Sequence, residues 1–404
     1  MDSAVGLRDT TAIGGCGQTP SGAKAVGCVK RSIAGFAVLA LCVGCSSGAE
    51  HASGGAGGAG STPLGCAPPS FLRGINLGNR LDAPNEGDWG PVLHASDFSA
   101  IAQRGFDHIR LPVFFSGHAS DTAPYSVDEA FFQRVDWAID NAVQQCLSIV
   151  IDIHHYDALT QDPSGQSEKF LGMWSQIAAR YRAYPTNLAF EILNEPSDQL
   201  TAAPWNALLL RAIAQIRSTN PERDIIVDGP NFAATVSLSE LSLPSDAHVI
   251  ASVHVYEPSL FTFQGQSWMP PEWGTSGVVF PGPPVVPIVP VPAAQSVPWV
   301  AAWFDGYNNS PAATNPGGPS AIDAQFVAVK SYAAGSGHKV YNGEWAAQDG
   351  GDTASRVSWM RMVRKQSEAS DVGWCVWDQS SPGMKLLDPL TGTWDEALVS
   401  ALFD

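Results

Sequence analysis

From residue 74 to its C-terminus the chain alternates short apolar runs with amphipathic stretches, and that rhythm constrains the fold more than any other feature. Strands are predicted at 74–77, 108–111, 148–153, 188–194, 224–227, 248–255, 339–344 and 373–377. Helical periodicity falls between them, at about 96–105, 127–145, 167–184, 201–219, weakly at 235–241, then at 320–335, 353–369 and 394–403. Alternating βα units imply a parallel sheet, because a crossover helix must return the chain to the same end of the next strand. Eight such pairs imply a single α/β domain built as a (β/α)8 TIM barrel.

The barrel is expected over residues 66–404, and what precedes it reads as an export segment. Within "VKRSIAGFAVLALCVGCSS", Lys30 and Arg31 precede a short apolar run, and Gly44-Cys45 follows. This is the order of a secretory signal, and the run is too short to span a bilayer. Small residues before a cysteine resemble a bacterial lipoprotein signal, which makes Cys45 the candidate lipidation site of a 1–45 segment. Cys42 departs from that pattern, where leucine is usual. Val26 or Val29 fits a start codon, which would leave residues 1–28 outside the product. Residues 46–65, rich in Gly, Ala and Ser, read as a flexible linker. The expected location is therefore the cell envelope or the extracellular space. Of the remaining cysteines, Cys66 and Cys146 are the pair an oxidising compartment would join, with three reduced thiols as the alternative.

The formal net charge of −17 argues against nucleic acid or an anionic membrane surface as partner. Contact with a membrane is expected only through the lipid anchor, and the protein is expected to act as a monomer. One segment breaks the βα rhythm. From about residue 257 to 319 the chain makes a long excursion that includes "VVFPGPPVVPIVPVPAAQSVPW". Its prolines are read as excluding helix and central strand, which predicts a partly extended flap beside the cleft or a plain surface insertion.

Polar residues gather where the predicted strands end. Asn76 and Asn79 close the first, Arg110 sits in the second, and His154 and His155 follow the third. Asn194 and Glu195 close the fourth, His254 and Tyr256 the sixth, Glu344 the seventh and Trp377 the eighth. Barrel enzymes build their active sites at that face. Two carboxylates, Glu195 and Glu344, on opposite sides of one barrel mouth suggest glycoside hydrolysis. Cleaving an acetal needs a proton for the leaving oxygen and a negative charge facing the oxocarbenium ion. Arg110 would keep a carboxylate ionised, Tyr256 could donate to the same group, Asn194 suits a sugar 2-hydroxyl, and Trp377 offers a face to a pyranose ring. Within "FEILNEP", Glu191 lies four residues before Glu195 and reads as structural, held by a buried basic partner.

The stretches "RGINLGNRLDAPNEGDWG", "HIRLPV", "IDIHHYD", "FEILNEP", "VHVYEP", "NGEW" and "GTWDEALVSAL" resemble, in that order, glycoside hydrolase family 5, and within it the bacterial endoglucanases. The resemblance runs from about residue 71 to 402. It implies a retaining mechanism on β-1,4-glucan, with Glu195 as acid/base and Glu344 as nucleophile. It implies substrate-site roles for Arg110, His154, His155, Asn194, His254, Tyr256 and Trp377, and it calls for no cofactor and no metal. Trp345-Ala346 stand where Phe-Gly commonly follows the nucleophile. β-1,4-Mannan is the alternative substrate, and a non-catalytic glycan-binding lipoprotein is the alternative outside enzymes. A metal-dependent hydrolase using Asp152, His154 and His155 is disfavoured, because adjacent residues of a strand point to opposite faces.

Overall fold

The computed structural model describes residues 66–404. The export segment with Cys45, the start-site reading and the linker to residue 65 lie outside the described residues.

Eight parallel strands close into a barrel in sequence order. They are β1 (Arg73–Asn76), β2 (His108–Leu111), β3 (Ser148–Asp152), β4 (Leu188–Glu191), β5 (Ile225–Asp228), β6 (Val249–His254), β7 (Val340–Glu344) and β8 (Gly373–Val376). Closure is made by β8 pairing with β1, Cys375 opposite Gly74. The period-two alternation of each strand sorts its side chains into two layers. Ile109, Leu111, Ile149, Ile151, Leu188 and Phe190 face the helices and join the main core. Val150, Ala189, Ile226, Tyr341 and Cys375 pack together as a separate small cluster inside the barrel. On the inward side, Asp152 pairs in register with Glu191, which sets two acids side by side one layer above that plug.

The helices follow the predicted rhythm, and local chemistry starts and stops them. Glu129–Gln144 is capped by Asp128, whose side chain accepts from the Ala130 N–H. Ala95–Arg104 stops at Gly105, which takes a left-handed φ of 97°. The weak helix expected after β5 is a short 3-10 turn, Thr235–Glu240. Among the described residues no helix is long and apolar enough to cross a membrane. Cys66 and Cys146 form a disulfide across a sequence separation of 80 residues. It ties the start of the domain to the end of Glu129–Gln144, and loop closure of that length is worth about 4 kcal/mol in the chain-entropy picture. Cys375 remains a buried thiol.

The insertion differs from its reading in one respect. Prolines do not exclude helix there: Pro292–Ser296 and Pro298–Asn309 are both helical, each with proline at its first position. At that position the missing N–H has no partner to lose and the fixed φ already suits the helix. The run between them and Gly282 forms no helix or strand, and Val285, Val286 and Val289 in it are exposed. The first part of the insertion carries Phe263 and Trp268 into the cleft wall.

Candidate active site

Arg110, with no exposed surface, is the hub of the barrel mouth. Its Nε and Nη2 donate to Glu191 at 2.7 and 2.6 Å. Nη2 also donates to Asp152 at 2.9 Å and to the Asn194 amide oxygen at 2.8 Å. Nη1 donates to Glu344 at 2.7 Å and to Asn76 at 3.0 Å. Every guanidinium N–H is thus used, and the fork that binds Glu191 fixes the plane from which Nη1 reaches Glu344. Burial opposes the charge on Arg110, but Glu191, Asp152 and Glu344 outweigh it and raise its pKa further. Glu191 is therefore the arginine's partner, as expected for the deeper of the two acids in "FEILNEP".

Regular strand geometry stops at Glu191, three residues before the predicted end. The Ile192 and Asn194 N–H groups still bond to the Ile226 and Ile153 carbonyls. The chain then turns at Glu195, whose φ is 47°, and its N–H donates to Asp228 at 3.0 Å. Pro196 has no N–H to continue a ladder. That turn lifts Glu195 to the rim, where His254 Nδ1 lies 2.7 Å from its Oε1. The same nitrogen is 3.7 Å from Glu344 Oε2, and His254 Nε2 is 3.5 Å from Asp228. One oxygen of Glu195, one of Glu344 and a nitrogen of His254 all lie within 4.8 Å of one another.

The second oxygen of Glu344 accepts from the Tyr256 hydroxyl at 3.0 Å. Burial keeps the proton on that hydroxyl, and the nearby Glu344 and Glu195 carboxylates reinforce it. Burial also disfavours the imidazolium of His254, yet Glu344, Asp228 and Glu195 together lift its pKa to about 10. For Glu344, burial pushes the carboxyl up to about 7 against the pull of His254 and Arg110. Glu195 and Glu344 thus share the His254 ring, and Glu344 alone of the two also binds the Arg110 guanidinium.

Above them lies a cleft of about 1100 Å³ lined by Asn79, His154, His155, Asn194, Glu195, Tyr256, Glu344 and Trp377. Arg110 and His254 sit beneath and hold these groups rather than lining the space. Asn194 spends its oxygen on Arg110, and its amide nitrogen has no partner among the described residues. Trp377 stacks on His154 at 6.0 Å with planes 15° apart. A Cβ at Gly78 would meet that indole at 2.4 Å, so only glycine leaves room for the ring.

The histidine pair corrects an expectation. β3 ends at Asp152, and His155 takes a left-handed φ of 42°, so strand alternation does not apply. The two rings meet edge to face at 4.5 Å, both on the cleft. His154 Nδ1 is 2.7 Å from Asp152, and burial depresses its pKa well below the usual range, with His155 and Arg110 adding to the effect. His155 titrates above its ordinary value, because Asp82 beside it outweighs burial. Asp82, Trp89, Phe263, Trp268 and Gln348 also line the cleft and were not anticipated. Asp82 is the one nearest to a predicted site residue in sequence, lying three residues beyond Asn79, whose N–H it accepts at 3.0 Å.

Residues 72–380 match the profile of Cellulase (glycosyl hydrolase family 5). Endoglucanase H of Acetivibrio thermocellus is 28% identical over 353 residues, a match covering 85% of this chain and 34% of that protein. Cellodextrinase A of Ruminococcus flavefaciens is 32% identical over 213 residues, covering 50% of this chain and 62% of the relative. The chain thus spans only about a third of the first and under two thirds of the second. Among solved structures, Thermotoga maritima Cel5A with mannotriose superposes with a TM-score of 0.72 at 33% identity, covering 82% of this chain and 97% of that one. The cellulose synthase subunit Z of Clostridioides difficile does so at 0.72 and 32%, covering 83% and 100%.

Proposed function

The chain belongs to glycosyl hydrolase family 5, and from that premise we propose that it cleaves β-1,4-glucan internally by double displacement, with Glu344 as nucleophile and Glu195 as acid/base. The observation that carries the reading is the shared neighbourhood of the two carboxylates, each with an oxygen within 4.8 Å of the other and of His254. Inverting enzymes separate their carboxyl groups by about 6.5–9.5 Å to admit a water, and retaining ones by about 5 Å.

In the first step Glu195 gives its proton to the glycosidic oxygen while a Glu344 oxygen bonds to the anomeric carbon and the C–O bond breaks. Arg110 and Tyr256 hold Glu344 in line, and each gives one hydrogen bond to it. In the second step Glu195, now a carboxylate, takes a proton from water as that water attacks the anomeric carbon and releases Glu344. Esterification removes the negative charge of Glu344, so during this step His254 Nδ1 faces the charge of Glu195 and no longer that of Glu344. Asn194 offers its amide nitrogen to the sugar 2-hydroxyl, and Trp377 carries the pyranose face.

Reducing-sugar release from carboxymethylcellulose, mixed-linkage glucan and mannan, run side by side, tests the substrate class. Mannan is included because a similar structure holds mannotriose. Activity on soluble glucan with a first-formed β-anomer by NMR is expected; an initial α-anomer overturns the retaining step. We further propose that the enzyme acts as a monomer held on the cell envelope by acylation at Cys45, with residues 46–65 as tether. The basic pair, apolar run and Gly44-Cys45 support this reading.

A further inference from the structure

Asp82, His154 and His155 each direct one ligand atom to a common point in the cleft wall, all three atoms within 4.8 Å of one another. None of the three is loose. Asp82 is fixed by the backbone N–H groups of Asn79 and Arg80, at 3.0 and 2.7 Å. His154 Nδ1 lies 2.7 Å from Asp152, and the tautomer with its proton on Nδ1 presents an Nε2 lone pair to a cation. A carboxylate behind an imidazole is the outer-shell arrangement that orients histidine towards a cation. The His155 ring rests edge-on against Trp89 at 5.3 Å and against Phe114 at 6.4 Å. Its Nε2 lies 3.7 Å from Asp82 Oδ2. Ligands bound at about 2.0–2.1 Å can share one ion across such a gap.

We propose that Asp82, His154 and His155 form a site for one divalent transition cation, and that the filled site excludes saccharide from the cleft. Two imidazoles and one carboxylate suit Zn²⁺, Ni²⁺ or Cu²⁺, whereas Mg²⁺ and Ca²⁺ ask for an oxygen shell. Three protein ligands leave a position open to water. Two other clusters are as close-set but already committed. Glu195, His254 and Glu344 spend their atoms on one another, on Arg110 and on Tyr256. Glu191, Asp228 and His254 are buried, with Glu191 gripped by Arg110. A cation at either would have to break charge-assisted bonds first.

Calorimetric titration of the chelator-treated full chain with Zn²⁺ tests the site directly. One saturable site is expected, weakened at least about tenfold in His155→Asn and in Asp82→Asn and retained in Glu195→Gln. No saturable binding overturns the proposal, as does binding that is lost in Glu195→Gln but survives in the other two. The His155 side chain is 41% exposed, so its variant should fold, and thermal unfolding checks that. Cu²⁺ bound to the wild-type chain should show two nitrogen ligands by electron paramagnetic resonance; none overturns the assignment without any variant. Blocking rests on the glycosidase reading: Zn²⁺ should raise KM for soluble glucan, leave kcat unchanged and be reversed by chelator. If the chain proves inactive on every glycan, the calorimetry still decides the cation site by itself.

Discussion

Arg110 grips both oxygens of Glu191 through Nε and Nη2, and neither side chain has any exposed surface. The pair explains why a carboxylate stands inside an apolar strand, and it sets the direction of the one arginine nitrogen that reaches Glu344 at 2.7 Å. Glu191 does not line the cleft, so its route to the proposed chemistry is through Arg110 and through its own charge.

Replacing Glu191 should therefore cost stability and leave a signature in the pH profile. Glu191→Gln keeps the volume but removes a buried partner, with an expected loss of about 3 kcal/mol in urea unfolding. The charge of Glu191 is among those that raise the Glu344 pKa, so its removal should move the acidic limb of kcat/KM to lower pH. A role confined to packing would leave the limb in place, and that result counts against positioning.

Glu344→Gln should be inactive and yet more stable than the wild type at neutral pH. Burial raises the Glu344 carboxyl from 4.5 to about 7, so the folded chain holds that proton more tightly than the unfolded one. Wild-type stability contributed by the group therefore falls as pH rises from 4.5 to about 7, and the neutral amide escapes that loss. The gain should be small at pH 4.5, grow through that window and level off at about 3 kcal/mol above it. Thermal unfolding of both proteins at pH 5 and 8 checks the sign, alongside a fall in kcat on the order of 10⁴-fold. A variant less stable at pH 8 than at pH 5, relative to wild type, would contradict the account.

Most of this architecture was legible because it is periodic. Alternation places Arg110, Asp152 and Glu191 inward wherever the strands begin within a residue or two, and all eight strands were located that closely. The site residues were legible because polar groups crowd the ends of otherwise apolar strands. What escaped detection depends on single backbone angles or on long-range closure. The 42° φ of His155 brings two adjacent rings together, and no residue type announces that angle. The prolines of the insertion look like breakers in sequence, although Pro292 and Pro298 stand where a helix starts. Asp82 and Trp89 sit in the irregular segment after β1, where no period marks a residue as facing the cleft.

Cys45 is the residue on which the proposed location turns. Cys45→Ala should shift the protein from the membrane fraction to the soluble fraction of its host, and metabolic labelling with a fatty-acid analogue should be lost with it. Fractionation unchanged by the substitution would remove the anchor from the account while leaving the barrel chemistry untouched.

The pH dependence of the free enzyme should report the cluster of Glu195, His254 and Glu344 rather than two independent acids. With Glu344 as the proposed nucleophile, activity requires its ionised form, and burial raises its pKa to about 7, so the acidic limb of kcat/KM should lie close to neutrality instead of in the ordinary carboxylate range. The alkaline limb belongs to the proton the cluster still holds, with His254 lifted to about 10 by the carboxylates around it, and the two limbs are properties of the group as a whole. The His254 imidazolium is the largest favourable pull on the Glu344 charge, ahead of Arg110. In His254→Gln that pull is gone, so the Glu344 proton is held more tightly and the acidic limb should move to higher pH. Arg110 still reaches Glu344 in this variant, so residual activity at alkaline pH should allow the limb to be measured. Comparing kcat/KM between pH 4 and 10 for the two proteins decides the matter. A limb that stays in place or moves down would mean that the imidazolium does not share its charge with the nucleophile.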